Sequence, residues 1–227
     1  MKKRKILIVA AHPDDEILGC AGTVIRMASN NHEVVTLILG EGVTARDEQR
    51  DKDVRDPDIA RLRRQAVTAN KIIGINEVYF NEFPDNRFDT VSFLDIVKSI
   101  EEVKDKIKPD IVFTHNGKDL NVDHQITYRA LITATRPMKS ESVKEIYSFE
   151  IPSSTEWEYP LGFSPDVFFD ISDTLDRKLE ALSKYQSELR KYPHPRSLEG
   201  VKLIAKNWGM KVGTEYAEAF KAIRIIK

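Results

Sequence analysis

A single cysteine, Cys20, rules out any disulfide within the chain and points to a reduced, cytoplasmic setting. No sign of charge predominates. The 35 basic residues stand against 36 acidic ones, a net charge of −1, which gives no built-in attraction for nucleic acid or anionic lipid. Long apolar runs are missing as well. The basic start, Met1-Lys2-Lys3-Arg4-Lys5, has the look of a signal peptide's charged region, but apolar residues 6–11 are too few for the hydrophobic region that would follow. No stretch approaches the length of a membrane span. Repeats and low-complexity tracts are absent too. With 227 residues, 41% of them hydrophobic, the chain is long enough to bury one substantial core, and a single domain over residues 1–227 is expected.

What is present reads as alternating strand and helix. Residues 6–11 (ILIVAA) are a short continuous run rich in β-branched side chains, the pattern of a strand buried on both faces of a parallel sheet. Residues 16–29 place Ile17, Leu18, Ala21, Val24, Ile25 and Ala28 on one helical face, and residues 32–40 are a second buried strand. The same alternation continues with a helix over 59–73, a strand over 77–80, a helix over 91–106, a strand over 109–115 and a helix over 124–135. Residues 41–58, charged and almost free of apolar groups, are expected to form a loop or lid near a site. Further strands are expected over 142–149 and 167–171, and helices over 173–190 and 217–223. This order predicts an α/β, doubly wound, mostly parallel sheet of Rossmann-like architecture with helices on both faces. Such sheets bind ligands at the carboxyl ends of their strands, where the strand order reverses.

Two polar clusters fall at that edge. His12-Pro13-Asp14-Asp15-Glu16 follows the first strand, and residues 116–124, ending in Asp123-His124, follow the fourth. A tight turn lets His12 and Asp15 reach one ion, and His124 can arrive from the second loop as a third ligand. Two histidines and one carboxylate leave positions open for water, as catalytic zinc sites do. Asp14, pointing elsewhere, has the place of a general base, and Asp123 that of a partner orienting an imidazole. The same residues also fit a plainer account: acids at a helix N-terminus are favourable caps, and a lone loop histidine is often no ligand. Two such clusters at equivalent strand ends, in a chain with five histidines, favour the metal.

At these residues the sequence resembles the PIG-L/LmbE-like family of zinc-dependent N-deacetylases. The first signature is Ala11-His12-Pro13-Asp14-Asp15-Glu16, continued by Leu18-Gly19 and Gly22-Thr23; the second ends in Asp123-His124. Weaker likenesses run to Tyr216-Ala217-Glu218-Ala219-Phe220, so the resemblance spans nearly the whole chain. It implies an LmbE-type fold and zinc, or another divalent metal, on His12, Asp15 and His124, with Asp14 as base. The implied reaction is hydrolysis of an N-acetyl group from an amino sugar such as an N-acetylglucosamine glycoside or conjugate. One position departs from the pattern. Asn121 stands where well-known members carry a histidine that stabilises the oxyanion. Asn donates a hydrogen bond but supplies no cationic imidazolium, and His115 is a candidate to replace it.

Candidate substrate contacts are Arg46, Arg64 (or Arg63) and Asp85 for hydroxyl or anionic groups, and Trp157 as a stacking wall. His194 is a weaker candidate, and Cys20, with no paired base, reads as packing. Two alternatives stay open: an amidase for a larger acyl group or a thiol-sugar conjugate, and a non-catalytic sugar- or nucleotide-binding module. The second would want a glycine-rich phosphate loop after the first strand, where this chain has carboxylates. Apolar stretches in the last third leave room for a homo-oligomer.

Overall fold

The computed structural model describes residues 3–46, 51–160 and 162–227, with the side chains of Arg46 and Lys52 outside the description. A seven-stranded sheet forms its middle layer, in the order β3-β2-β1-β4-β5-β7-β6. β1 (Lys5–Ala10), β2 (Glu33–Gly40), β3 (Glu77–Phe83), β4 (Ile111–His115) and β5 (Glu145–Phe149) run parallel. β7 (Ala217–Ile225) is antiparallel to β5 and also pairs antiparallel with β6 (Val167–Asp170).

The alternation of the strands divides the core in two. Ile6, Ile8 and Ala10 of β1 face the layer of α1 (Asp15–Ser29), α2 (Lys52–Ile72) and α5 (Leu175–Leu182). Leu7, Val9 and Ala11 face α3 (Phe93–Ile107) and α4 (Val122–Ala134). A strand that buries both faces must be apolar throughout, which is why β1 and β4 read as continuous hydrophobic runs. The expected doubly wound α/β sheet is present. Its order reverses between β1 and β4, so the loops after these two strands open into one crevice.

Several boundaries differ from expectation. Residues 41–58 contain a 3₁₀ turn at Thr44–Arg46 and the first turns of α2, which begins at Lys52 with Asp51 accepting from the Val54 amide (3.1 Å). The helix expected over 173–190 ends at Leu182. Two larger differences lie in the last third. The stretch expected to form a helix over 217–223 is β7, where paired partners on both sides override the helical propensity of Ala217, Glu218 and Ala219. No element was expected where α6 (Leu198–Val212) lies, although Ser197 caps its start and Gly213, at φ 79°, closes its end.

Candidate metal centre

β1 delivers the chain to the crevice and a tight turn takes it into α1. Asp14 sits at φ 106°, a left-handed conformation that disfavours a residue with a Cβ by about 1–2 kcal/mol. Its amide donates to Glu16 Oε2 (3.1 Å), its carbonyl accepts from Ile17 N (3.0 Å) and Leu18 N (2.9 Å), and its side chain makes no capping bond. The helix-cap account of this residue's side chain therefore does not hold: the carboxylate leaves the helix end and lines the crevice wall.

The adjacent Asp15 is completely buried and points the other way. Its Oδ2 accepts from the His12 amide (2.8 Å) and lies 3.5 Å from His12 Nδ1 and 3.4 Å from His124 Nε2. Asp15 Oδ1 and His124 Nε2 are buried and have no hydrogen-bond partner. Ligand atoms of His12, Asp15 and His124 all lie within 4.8 Å of one another. Buried polar atoms left unpaired are costly, and here they converge with the donor set of a divalent ion of the zinc type. The residues fit such an ion.

Each imidazole is held by a carboxylate on its far nitrogen. His12 Nε2 lies 2.9 Å from Asp123 Oδ2, and Asp123 Oδ1 in turn accepts from the Phe88 amide (2.9 Å). His124 Nδ1 lies 3.1 Å from Asp119 Oδ1, and Asp119 also accepts from Ser154, from Thr155 Oγ1 (2.5 Å) and from Asn121 N (2.9 Å). A carboxylate on the remote nitrogen fixes the tautomer and turns the other nitrogen toward the ion. Asp123 was expected to orient an imidazole, without the sequence saying which. It orients His12, and Asp119 orients His124, because Asp123 and His124 lie on different sides of the first turn of α4. A carboxylate four positions before Asp123, in the same polar loop, was the available signal for Asp119.

The electrostatics follow from this packing. Burial disfavours charge on Asp15, yet the surrounding imidazoles, His124 first, hold its carboxyl well below the usual range. Burial would also lower His124, but Asp15 and Asp119 carry it up to about 8. Burial likewise opposes charge on His12, and Asp123 and Asp15 raise it well above an ordinary histidine. Asp14 moves the other way from its neighbour: burial raises its carboxyl well above the usual range, with Arg196 only partly opposing. Two adjacent aspartates are thus pushed apart, one kept charged and one made a better proton acceptor.

His115 does not take the place of the missing histidine. It is fully buried behind the ligands, stacked on His124 with ring centroids 4.0 Å apart, and its Nε2 accepts from the Ala11 amide (2.8 Å). Burial and the nearby His124 hold it down at about 3, so it is neutral and turned away from the crevice. Asn121 does line the crevice. Its Oδ1 caps α4, accepting from Asp123 N (2.8 Å) and His124 N (3.3 Å), while its Nδ2 donates to Asn86 Oδ1 (2.8 Å).

The crevice itself encloses about 260 Å³, and Asp85 lines it, its Oδ1 3.4 Å from His12 Nε2. The other expected substrate contacts fare differently. Arg64 is exposed on the outer face of α2, among Arg61, Thr68 and Lys184, and Arg63 is engaged by Glu82 (3.0 Å); neither lines the crevice. Trp157 is half exposed and packs edge-on against His194 (5.9 Å) outside the crevice lining. The side chain of Arg46 lies outside the described residues. Guanidinium groups reach the crevice from elsewhere, Arg190 and Arg196, on the segment between α5 and α6. Nothing local in sequence marks these, because they close the site from some 180 positions away. Cys20 is buried, and burial pushes its thiol well above the usual value, which fits packing and not nucleophilic chemistry.

Comparison with known proteins is decisive at this point. Residues 7–135, more than half of the chain, match the family PIG-L: GlcNAc-PI de-N-acetylase. The chain belongs to the PIG-L family. The uncharacterized deacetylase YaiS of Escherichia coli (strain K12) is 28% identical over 82% of this chain and 92% of its own length. The diacetylchitobiose deacetylase of Thermococcus kodakarensis is 25% identical, over 97% of this chain and 83% of its own. Among solved structures, the N,N'-diacetylchitobiose deacetylase from Pyrococcus horikoshii superposes with a TM-score of 0.78 at 20% identity, covering 97% of this chain and 84% of that one, which is a likeness of fold. The expected enzyme class, a hydrolytic N-deacetylase, is the class of this PIG-L family.

Proposed function

We propose that this PIG-L chain is a zinc-dependent deacetylase that removes the N-acetyl group of an N-acetylated amino sugar, of the N-acetylglucosamine glycoside or conjugate type, in a reduced cytoplasmic setting. The observation that carries the reading is the convergence of unpaired Asp15 Oδ1 and His124 Nε2 with His12, beside an Asp14 carboxylate that makes no capping bond. The deacetylase relatives support the amino-sugar substrate.

His12, Asp15 and His124 would hold the ion, and Asp123 and Asp119 would keep the two imidazoles aimed at it. When bound, the ion supplies Lewis acidity, polarising the amide carbonyl and acidifying water. Asp14, with its raised proton affinity, takes a proton from the attacking water as the new C–O bond forms. It returns that proton to the amide nitrogen as the C–N bond breaks, leaving acetate and a free amine. Asn121, one of whose amide hydrogens is engaged by Asn86, has a second one to offer the developing oxyanion. Asp85 serves sugar hydroxyls at the crevice wall.

The test is acetate release from methyl N-acetylglucosaminide together with metal analysis. The Asp14→Asn variant is expected to keep its metal and lose at least about a hundredfold in kcat. Undiminished turnover in that variant would remove Asp14 from the role of base.

A further inference from the structure

The base is gripped from a part of the chain that lies far outside the matched residues 7–135. Arg196 Nη1 lies 3.3 Å from Asp14 Oδ2. At the other end of the same segment, the fully buried Tyr185 donates its hydroxyl to Glu16 Oε1 (2.5 Å). Glu16 is the residue whose Oε2 receives the Asp14 amide (3.1 Å), and Asn70 Nδ2 (2.9 Å) steadies its other oxygen. Asp14 is therefore held at both ends of the residue: its amide through Glu16 and Tyr185, its carboxylate by Arg196.

The segment that provides both grips is itself anchored. The Arg196 amide donates to His194 Nδ1 (3.1 Å) and its Nε to Pro152 O (3.5 Å). Ser197 caps α6 by accepting from Gly200 N (2.9 Å), and α6 packs so tightly under the segment that a Cβ on Gly200 would lie 2.6 Å from Pro195 O. Such anchoring has a purpose at a left-handed, non-glycine residue. The strained backbone of Asp14 persists only where its surroundings over-determine it.

We propose that residues 185–196 form a positioning clamp for the catalytic base, with Tyr185 and Arg196 as positioning residues that act through Asp14. The proposal rests on the base role given to Asp14 above. A carboxylate displaced by an ångström from a reacting water costs on the order of a hundredfold in rate, while a metal held by other side chains is unaffected.

Arg196→Ala, Arg196→Lys and Tyr185→Phe test the clamp on methyl N-acetylglucosaminide. Arg196→Ala is expected to lower kcat between about tenfold and a hundredfold with KM and metal content unchanged. Added guanidinium is expected to restore part of the loss, and Arg196→Lys to retain part of it. In an Asp14→Asn background the same substitution is expected to change nothing further. Tyr185→Phe is read without catalysis, as faster hydrogen exchange of the Asp14 amide.

Unaltered kcat in Arg196→Ala, or unaltered exchange in Tyr185→Phe, overturns the clamp. An equal loss in the Asp14→Asn background, appearing in KM, also overturns it and makes Arg196 a substrate contact. If Asp14→Asn turns over normally, the base reading itself has failed. An inactive Asp14→Asn beside a fully active Arg196→Ala leaves that reading standing and removes the clamp alone.

Discussion

Five carboxylates crowd into the space around His12 and His124, and each is assigned its task by what it touches. Asp15 has imidazoles on three sides and stays charged. Asp119 is pulled down to about 2, its burial outweighed by the bonds from His124, Ser154 and Thr155. Asp123 and Asp85 sit on His12. Asp14 alone is driven strongly toward proton binding while facing the crevice. A consequence concerns the pH at which the metal binds. Without an ion, His124 holds a proton up to about pH 8, and His12 is raised as well. Metal must displace those protons. Zinc affinity of the metal-free protein is therefore expected to weaken steadily as pH falls below about 8, measured by competition titration with a chromophoric chelator. A flat profile between pH 8 and 6 would contradict the assignment of His124 as ligand. At this scale the sequence was legible where neighbours in the chain are neighbours in space, as in the turn from His12 to Glu16. The pairing of Asp119 with His124 and Asp123 with His12 was not, because it depends on how the first turn of α4 is rotated. Arg196 was invisible for a plainer reason: only the tertiary fold brings it to Asp14.

α1 is the element on which the site depends, and it is packed without slack. Gly19 faces the ring of Phe149 so closely that any Cβ would overlap it, and Gly22 meets Ile171 in the same way at 2.8 Å. Phe149 in turn packs edge-on against His115 (5.0 Å), which stacks on His124. Gly19→Ala is thus expected to destabilise the protein by about 1–3 kcal/mol through overpacking and to loosen metal binding with it. Urea denaturation and metal titration of that variant check both effects, and a change in stability without a change in affinity would uncouple Phe149 from the ligands. The middle of α1 is further tied to the C-terminal third by a buried ion pair. Lys178 donates to Leu18 O (2.7 Å) and to Glu218 Oε1 (2.6 Å), and Glu218 accepts from Gly22 N (2.9 Å) and Thr23 N (2.7 Å). Glu218 belongs to the strand read from sequence as a helix. Its alanine-rich surroundings carry helical propensity, and what makes it a strand is the presence of β5 and β6 on its two sides, which propensity does not contain.

On the scale of the whole molecule, the parallel half was legible because burial on both faces leaves an unmistakable continuous apolar run, and because strand–helix alternation has few topological solutions. The antiparallel edge carries a weaker mark: β6 is only four residues long and largely half-buried, and β7, though nine residues long, is continuously buried only over Ala217–Phe220. A bound metal would link two connections of the parallel half thermodynamically, since the proposed ligands come from the turn between β1 and α1 and from the first turn of α4. Any ligand that binds only the folded state stabilises it by RT ln(1 + [L]/Kd), about 2.7 kcal/mol at a hundredfold excess over Kd. Chelation is therefore expected to lower Tm measurably, and Asp15→Ala to abolish that sensitivity; an Asp15→Ala protein that still responds to chelator would place the ion elsewhere. The arrangement of the edge also bears on how the molecule is made. Among the described residues β6 pairs with β7 and with no other strand, and β7 comes later in the chain than every strand it joins. While a ribosome is still extending the chain, β5 has an open edge and β6 has no partner at all. Sheet completion waits for residues 217–225, and until then the edge of β5 that β7 will cover stays open to mispairing.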